Sequence, residues 1–258
     1  MTLGEGEPPA GPWRVELLSE LIDLLMEAPG PSPDRPVLVA IDARGGGGKT
    51  TLSARIAAAV AGAVVVHTDD IAWNHSCFGW EDLLVAGILK PLRRGEEVHY
   101  QPPAWSGHGR TGHIDVPAGS PLVIVEGTGS SRCSVAHLFD TTVWVQADVN
   151  EAERRARARD GDNAEARREW DEWMIEEIPF FRDDRPWKRA DVTVAGTSDL
   201  SHDPATQVVL ASAGPRRTRV GSSSPTGPET ASIGIGHSER VVDEGQRLMR
   251  DLPRPGVP

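Results

Sequence analysis

Between residues 37 and 62 an apolar, β-branched run, VLVAID, passes straight into ARGGGGKTT and then into the helix-prone LSARIAAAVAG. Strand, glycine-rich loop and helix in that order leave few options for the chain. Glycines allow backbone N–H groups to curl around an anion without Cβ obstruction, a lysine can reach outer phosphates, and a hydroxyl can hold a divalent cation. The helix adds the positive end of its dipole. The cradle is therefore expected at Ala43, Arg44, Gly45, Gly46, Gly47, Gly48, Lys49, Thr50 and Thr51, with Ala43 where such loops usually carry their first glycine. The plainer alternative, a glycine-rich turn with no ligand, does not explain Lys-Thr at the mouth of the helix.

The same texture recurs along the chain. AVVVHT (63–68), PLVIVEG (121–127), TTVWVQAD (141–148) and ADVTVAG (190–196) are continuous apolar runs, as strands buried on both faces of a parallel sheet require. Helical stretches at 49–61, 80–94 and 151–178 separate them, which predicts right-handed βαβ units and a three-layer α/β fold with about five parallel strands. Residues 13–28 read as an amphipathic helix on the spacing of Leu17, Leu18, Leu21, Leu24 and Leu25. From Ala211 to Ala231, 13 of 21 residues are Gly, Pro, Ser or Thr, too polar to offset chain entropy. The expected organisation is an N-terminal helix and linker (1–33), one domain (34–200) and a disordered tail (201–258).

Acids stand where ligands of such a sheet gather, beyond the carboxyl ends of its strands. AVVVHTDD ends in Asp69-Asp70, a pair in which one carboxylate can take the proton of an attacking hydroxyl while its neighbour helps with the metal shell; helix capping is the alternative. PLVIVEG ends in Glu126, either an acid of a Mg²⁺ shell or a hydrogen-bonded strand-end carboxylate. ERRARARDGDNAEARREW carries six arginines from Arg154 to Arg168. It reads as a lid closing guanidinium groups over transferring phosphate, with Glu–Arg pairing along a solvated helix for some of them and a break at Asp160-Gly161. Trp73, Trp80 and Trp105 fall between the second and third strands and offer either an aromatic wall for a flat acceptor or ordinary core packing.

Composition excludes several classes. With 27 Lys and Arg against 38 Asp and Glu, the net charge of −11 repels nucleic acid and anionic membranes. The two cysteines, Cys77 and Cys133, make no disulfide framework or zinc pattern. The histidines at 67, 75, 99, 108 and 113 fit no compact ligand spacing. The longest apolar run, residues 56–66, is short of the roughly 20 residues a membrane helix needs. No targeting segment is read, and a cytoplasmic location is expected.

The order ARGGGGKTT, HTDD, VIVEG and an arginine-rich lid resembles the uridine kinase and phosphoribulokinase group of P-loop kinases, and is most similar to the uridine kinase-like proteins of actinobacteria. The resemblance spans about residues 34–200. It implies a P-loop NTPase fold, ATP and Mg²⁺ as cofactors and a small-molecule acceptor. It also implies that Lys49 and Thr50 serve ATP and Mg²⁺, that Asp69 is the catalytic base, and that Glu126 is the acid of the Glu-Gly motif. Arg155 and Arg159 fall in the lid, Arg155 toward the nucleotide and Arg159 as a catalytic arginine. PAWSGHGR (103–110) is similar to the family's Tyr-Asp-Phe-x-x-His-x-Arg, so that Trp105, His108 and Arg110, with Asp70, line the acceptor pocket. Pro103 and Ala104 replace its Tyr and Asp, and Ile71-Ala72 replace the aromatic pair after the catalytic acid; uridine itself does not follow. The expected activity is phosphoryl transfer from ATP to a hydroxyl, with a nucleoside-like acceptor favoured. The rivals are an ATPase or regulator without acceptor and a degenerate binding protein.

Overall fold

A computed structural model describes residues 1–27, 34–161 and 163–211. The strands are β1 (Trp13–Leu17), β2 (Val37–Ala43), β3 (Val64–His67), β4 (Val98–Tyr100), β5 (Ile114–Val116), β6 (Leu122–Glu126), β7 (Thr141–Gln146), β8 (Val192–Ala195) and β9 (Gln207–Ala211). A seven-stranded sheet runs β1-β9-β8-β7-β2-β6-β3. Its five expected strands, β8-β7-β2-β6-β3, are parallel throughout. β2 lies between β6 and β7 with all seven residues buried. Its neighbours follow it in sequence on either side, so the ends of β2, β6 and β3 open onto one crevice at the switch point.

Side-chain alternation divides the core into two faces. Leu38, Ala40, Val66, Val123 and Val125 pack on one side with Trp80, Leu84, Ile88 and Leu92. Val37, Val39, Ile41, Leu122 and Ile124 pack on the other with Leu21 and Leu25 of α1 (Leu18–Met26) and Leu52 and Ile56 of α2 (Lys49–Ala59). This gives the three layers that runs buried on both faces predict. Trp80 belongs to this core. It is 1% exposed and its Nε1–H donates to the Cys77 carbonyl, so it is no part of an acceptor wall.

After β3 come a short α3 (Thr68–Ala72), then one long helical segment made of α4 (Glu81–Leu84), a π-helical turn (Val85–Leu89) and α5 (Lys90–Arg93). β4 and β5 pair as a separate antiparallel ribbon, and α6 (Pro103–Gly107) lies in the connection between them. The predicted 151–178 helix is two, α7 (Val149–Arg159) and α8 (Ala164–Asp184). Each has a capping side chain: Asp148 accepts from the Asn150 and Glu151 amides, and Asn163 from those of Glu165 and Ala166.

Two expectations are corrected at the sheet edge. The helix expected over 13–28 begins only at Leu18, because Trp13–Leu17 pairs in register with Ala211–Gln207. The domain also extends past residue 200. β9 bridges β1 and β8 and buries Val208, Val209 and Leu210, so residues 201–211 belong to the folded unit rather than to a tail. The disordered tail expected beyond them lies outside the described residues. Among the described residues no helix is long and apolar enough to cross a membrane.

Candidate functional site

The loop after β2 is built as the sequence predicts. Gly48 caps α2 with φ 99° and Gly46 has φ 70°, both in the left-handed region that glycine enters without strain. Gly46 also lies so close to α7 that a Cβ there would come within 2.0 Å of the Ala152 carbonyl oxygen. The Gly47 amide donates to the Arg44 carbonyl at 3.0 Å and that of Leu52 to Gly48 at 3.0 Å, closing the turn into the helix. Ala43 completes β2 and is fully buried, and Thr51 is exposed on the first turn of α2.

The Thr50 hydroxyl donates to Glu126 Oε1 at 3.1 Å, and His67 Nδ1 lies 2.5 Å from the same oxygen. Burial pushes the Glu126 carboxyl up. The His67 hydrogen bond, Lys49 and Thr50 together outweigh that and hold it below its ordinary value. The partner shifts the other way: the hydrogen bond to Glu126 raises the His67 imidazole, with Asp70 and Asp69 adding to it. The two shifts are mutual, the contact favouring the charged form of each partner. Glu126 Oε2 is buried and without a hydrogen-bond partner. A hydroxyl and an unpartnered carboxylate oxygen, both hard oxygen donors, fit a Mg²⁺ shell. The Gly-following-Glu pattern has a steric cause: Gly127 has φ 150°, and a Cβ there would stand 1.7 Å from Thr68 Oγ1.

Asp69 opens α3 at the end of β3. Its side chain faces solvent in the crevice but is walled by protein, and that desolvation raises its carboxyl above the ordinary value. Lys49 lowers it, Glu126 raises it, and His67 and Arg159 lower it. The field of one lysine therefore reaches Asp69, Glu126 and the buried Asp42 alike. Asp42, fully buried at the end of β2, has its carboxyl pushed up to about 6 by burial, against hydrogen bonds from the Gly129 and Ser131 amides and the Ser131 hydroxyl. Those bonds shape the turn that follows Glu126.

Asp70 faces the other way. Arg110 donates to its carboxylate, the Trp105 Nε1–H donates to its carbonyl at 2.8 Å, and the Arg110 guanidinium stacks 3.6 Å above the Trp105 ring. Trp73 lies 5.4 Å from the same guanidinium and meets the His108 ring edge-on at 5.9 Å. His108 Nδ1 bonds the Ala104 carbonyl at 2.9 Å. Asp70, Trp105, His108 and Arg110, dispersed over forty residues, thus form one cluster beside Asp69, joined by Trp73.

In the lid, Arg159 pairs with Asp160 at 2.7 Å, and this bond raises its already high pKa, with the charges of Asp69 and Glu126 contributing. Arg155 bonds Glu151 at 2.8 Å and donates to the Gly196 carbonyl at 2.8 Å. Gly196 touches the cradle: a Cβ on it would lie 2.1 Å from the Gly47 oxygen. Arg154, Arg157 and Arg168 pair with Glu151, Glu153 and Glu165 on the helix surfaces.

One predicted contact is corrected. The Arg44 side chain turns away from the cradle into the interior. Its Nε donates to Glu7 at 3.3 Å, its Nη1 is 3.8 Å from Glu177, and it lies over the Phe181 ring. Only its backbone remains available to a phosphate. Three residues of the site escaped sequence reading. His67, weighed in the sequence only as a metal ligand, stands two residues before Asp69 at the end of the same strand, where its place beside the site could have been found. Glu7 and Glu177 sit in segments that read as linker and solvated helix, and nothing local marks them.

No family model matches the chain, and no curated protein does. Among solved structures, a candidate fructose transport system kinase from Silicibacter sp. TM1040 aligns over 67% of this chain and 94% of its own, at 18% identity and a TM-score of 0.47. A candidate uridine kinase from Bacillus stearothermophilus aligns over 68% of this chain and 96% of its own, at 17% identity and a TM-score of 0.44. A Thermus thermophilus protein aligns over 64% and 91%, at 17% identity and a TM-score of 0.36. All three are distant likenesses, the first two to proteins named as kinases.

Proposed function

We propose that this chain is an ATP-dependent small-molecule kinase that phosphorylates a hydroxyl of a nucleoside-like acceptor. The observation that carries the reading is the convergence, at the ends of β2, β6 and β3, of the glycine cradle, the Thr50–Glu126 pair and Asp69 under the field of Lys49. Loop amides and the Lys49 ammonium bind the β- and γ-phosphates of ATP. Thr50 and Glu126 would hold Mg²⁺, which when bound would supply neutralisation of charge on the phosphate oxygens. His67 keeps Glu126 oriented and ionised. Asp69 accepts the proton of the attacking hydroxyl, and its raised pKa makes it a better base than an ordinary aspartate. Arg159 leaves Asp160 to stabilise the developing equatorial charge, while Arg155 stays by the cradle. Trp73 and His108 with the Asp70–Arg110 pair hold a flat, polar acceptor, while Trp105, buried in the core like Trp80, backs the Arg110 guanidinium rather than the acceptor.

ADP release measured over a panel of nucleosides, sugars and other hydroxylated metabolites tests this. Stimulation by a member of the panel supports a kinase. ADP release independent of every acceptor points to an ATPase, and none at all to a binding protein.

A further inference from the structure

The cradle is held from behind by a carboxylate that the phosphoryl-transfer chemistry does not use. Glu177, on α8, is 0% exposed. Its Oε2 accepts from the Gly45 amide at 2.7 Å and from the Trp173 Nε1–H at 2.7 Å. Its Oε1 has no hydrogen-bond partner and faces Arg44 Nη1 at 3.8 Å. Arg44 in turn is gripped by Glu7, whose other oxygen accepts from Trp144 Nε1 at 2.7 Å and Gln146 Nε2 at 2.9 Å. Three separate segments (the chain around Glu7, the cradle and α8) therefore meet through one guanidinium and two carboxylates.

Burying a carboxylate beside a site for a polyanion is costly unless it does something there. Desolvation holds the Glu177 carboxyl above its ordinary value, and the Gly45 amide, the Trp173 indole, Arg44 and Lys49 offset this only in part. Trp170, Trp173 and Glu177 recur on one face of α8, and each places an atom 3.1–3.2 Å from where a Gly45 Cβ would be. A Cβ at this position would require these side chains to give by a few tenths of an ångström. We infer that Glu177 is a positioning residue that fixes the Gly45 end of the phosphate loop and ties it to α8, so that nucleotide binding and the placement of the lid helices are coupled through this carboxylate. The inference rests on the kinase reading for its nucleotide. Acceptance of the Gly45 N–H, rather than negative charge, is the working feature.

That distinction is testable in the full chain. Glu177→Ala leaves the buried Gly45 N–H without an acceptor. It is expected to weaken ATP binding at least about tenfold, and to speed hydrogen–deuterium exchange of the 43–48 backbone. Glu177→Gln keeps a carbonyl that can accept from both Gly45 and Trp173, and should restore affinity to within about threefold of the parent and loop protection with it. Unchanged ATP affinity in Glu177→Ala, or a Gln variant as weak as the Ala variant, would overturn the assignment. Should Glu177→Ala fail to fold, rapid exchange of the Gly45 amide in the parent, or loss of affinity in Glu177→Gln, overturns it equally. Failure of the parent to bind ATP would fall on the kinase reading, whereas parental binding left intact by Glu177→Ala falls on the latch alone.

Discussion

Asp69 and Asp70 are adjacent, chemically identical and differently employed, which makes them a sharp pair to substitute. Asp69→Asn keeps the side chain's shape but cannot accept a hydroxyl proton, so transfer should fall about 10²–10⁴-fold with ATP affinity little changed. Asp70 is bonded to Arg110 in the aromatic cluster, so Asp70→Asn should chiefly raise the KM for the acceptor. Steady-state kinetics on both variants check the split, and equal mild losses would remove Asp69 from the role of base; the capping alternative is not what the structure shows, since His67 is the N-cap and neither aspartate makes a capping bond. A second prediction concerns Asp42, whose carboxyl is pushed up to about 6. The folded state holds this proton more tightly than the unfolded chain, so the associated stability is complete below about pH 4 and is lost as pH rises to about 6. Relative to Asp42→Asn, the parent should lose up to about 3 kcal/mol across that window. Urea unfolding of both proteins between pH 4 and 7 measures it, and a flat difference would contradict the burial argument. Legibility at this scale follows locality. The positions of Lys49, Thr50, Asp69 and Glu126 at a helix mouth or strand end were readable because neighbours in sequence set that local geometry. The inward turn of the Arg44 side chain and the place of Glu177 were not, because they depend on contacts with segments 37 and 132 residues away.

At the level of elements, close approach decides where glycine is required. Gly127→Ala must fit a Cβ against the Thr68 side chain at φ 150°, and Gly46→Ala must push α7 from the loop. Both should be destabilised by about 2 kcal/mol or more. Gly46→Ala should in addition weaken ATP binding, because the displaced helix carries Arg155. Thermal unfolding with and without ATP checks both, and Gly46→Ala at parental Tm would show that the contact yields freely. The parallel strands and the break at Asp160-Gly161 were legible, since continuous β-branched runs and a glycine between capping residues carry their meaning locally. β1 was not. Its five residues adjoin a leucine-spaced helix, and only β9, nearly two hundred residues away, turns WRVEL into a strand.

Over the whole molecule, the five-stranded parallel sheet expected from the sequence is extended by an antiparallel pair made of the two distant ends of the described chain. Removing residues 201–258 deletes β9, which takes away the pairing of β1 and leaves β8 an edge strand paired to β7 alone, so that variant should lose well over about 3 kcal/mol of stability or fail to accumulate as soluble protein. A parental Tm in that truncation would contradict the sheet order. The central claim, however, is that the strand ends present a nucleotide site organised around Lys49. Isothermal titration of ATP in the presence of Mg²⁺ into the parent and into Lys49→Ala tests it most directly. The parent should bind, and the variant should bind at least about tenfold more weakly with an unchanged circular dichroism spectrum; equal affinity in the two, or no binding by the parent, would contradict the account.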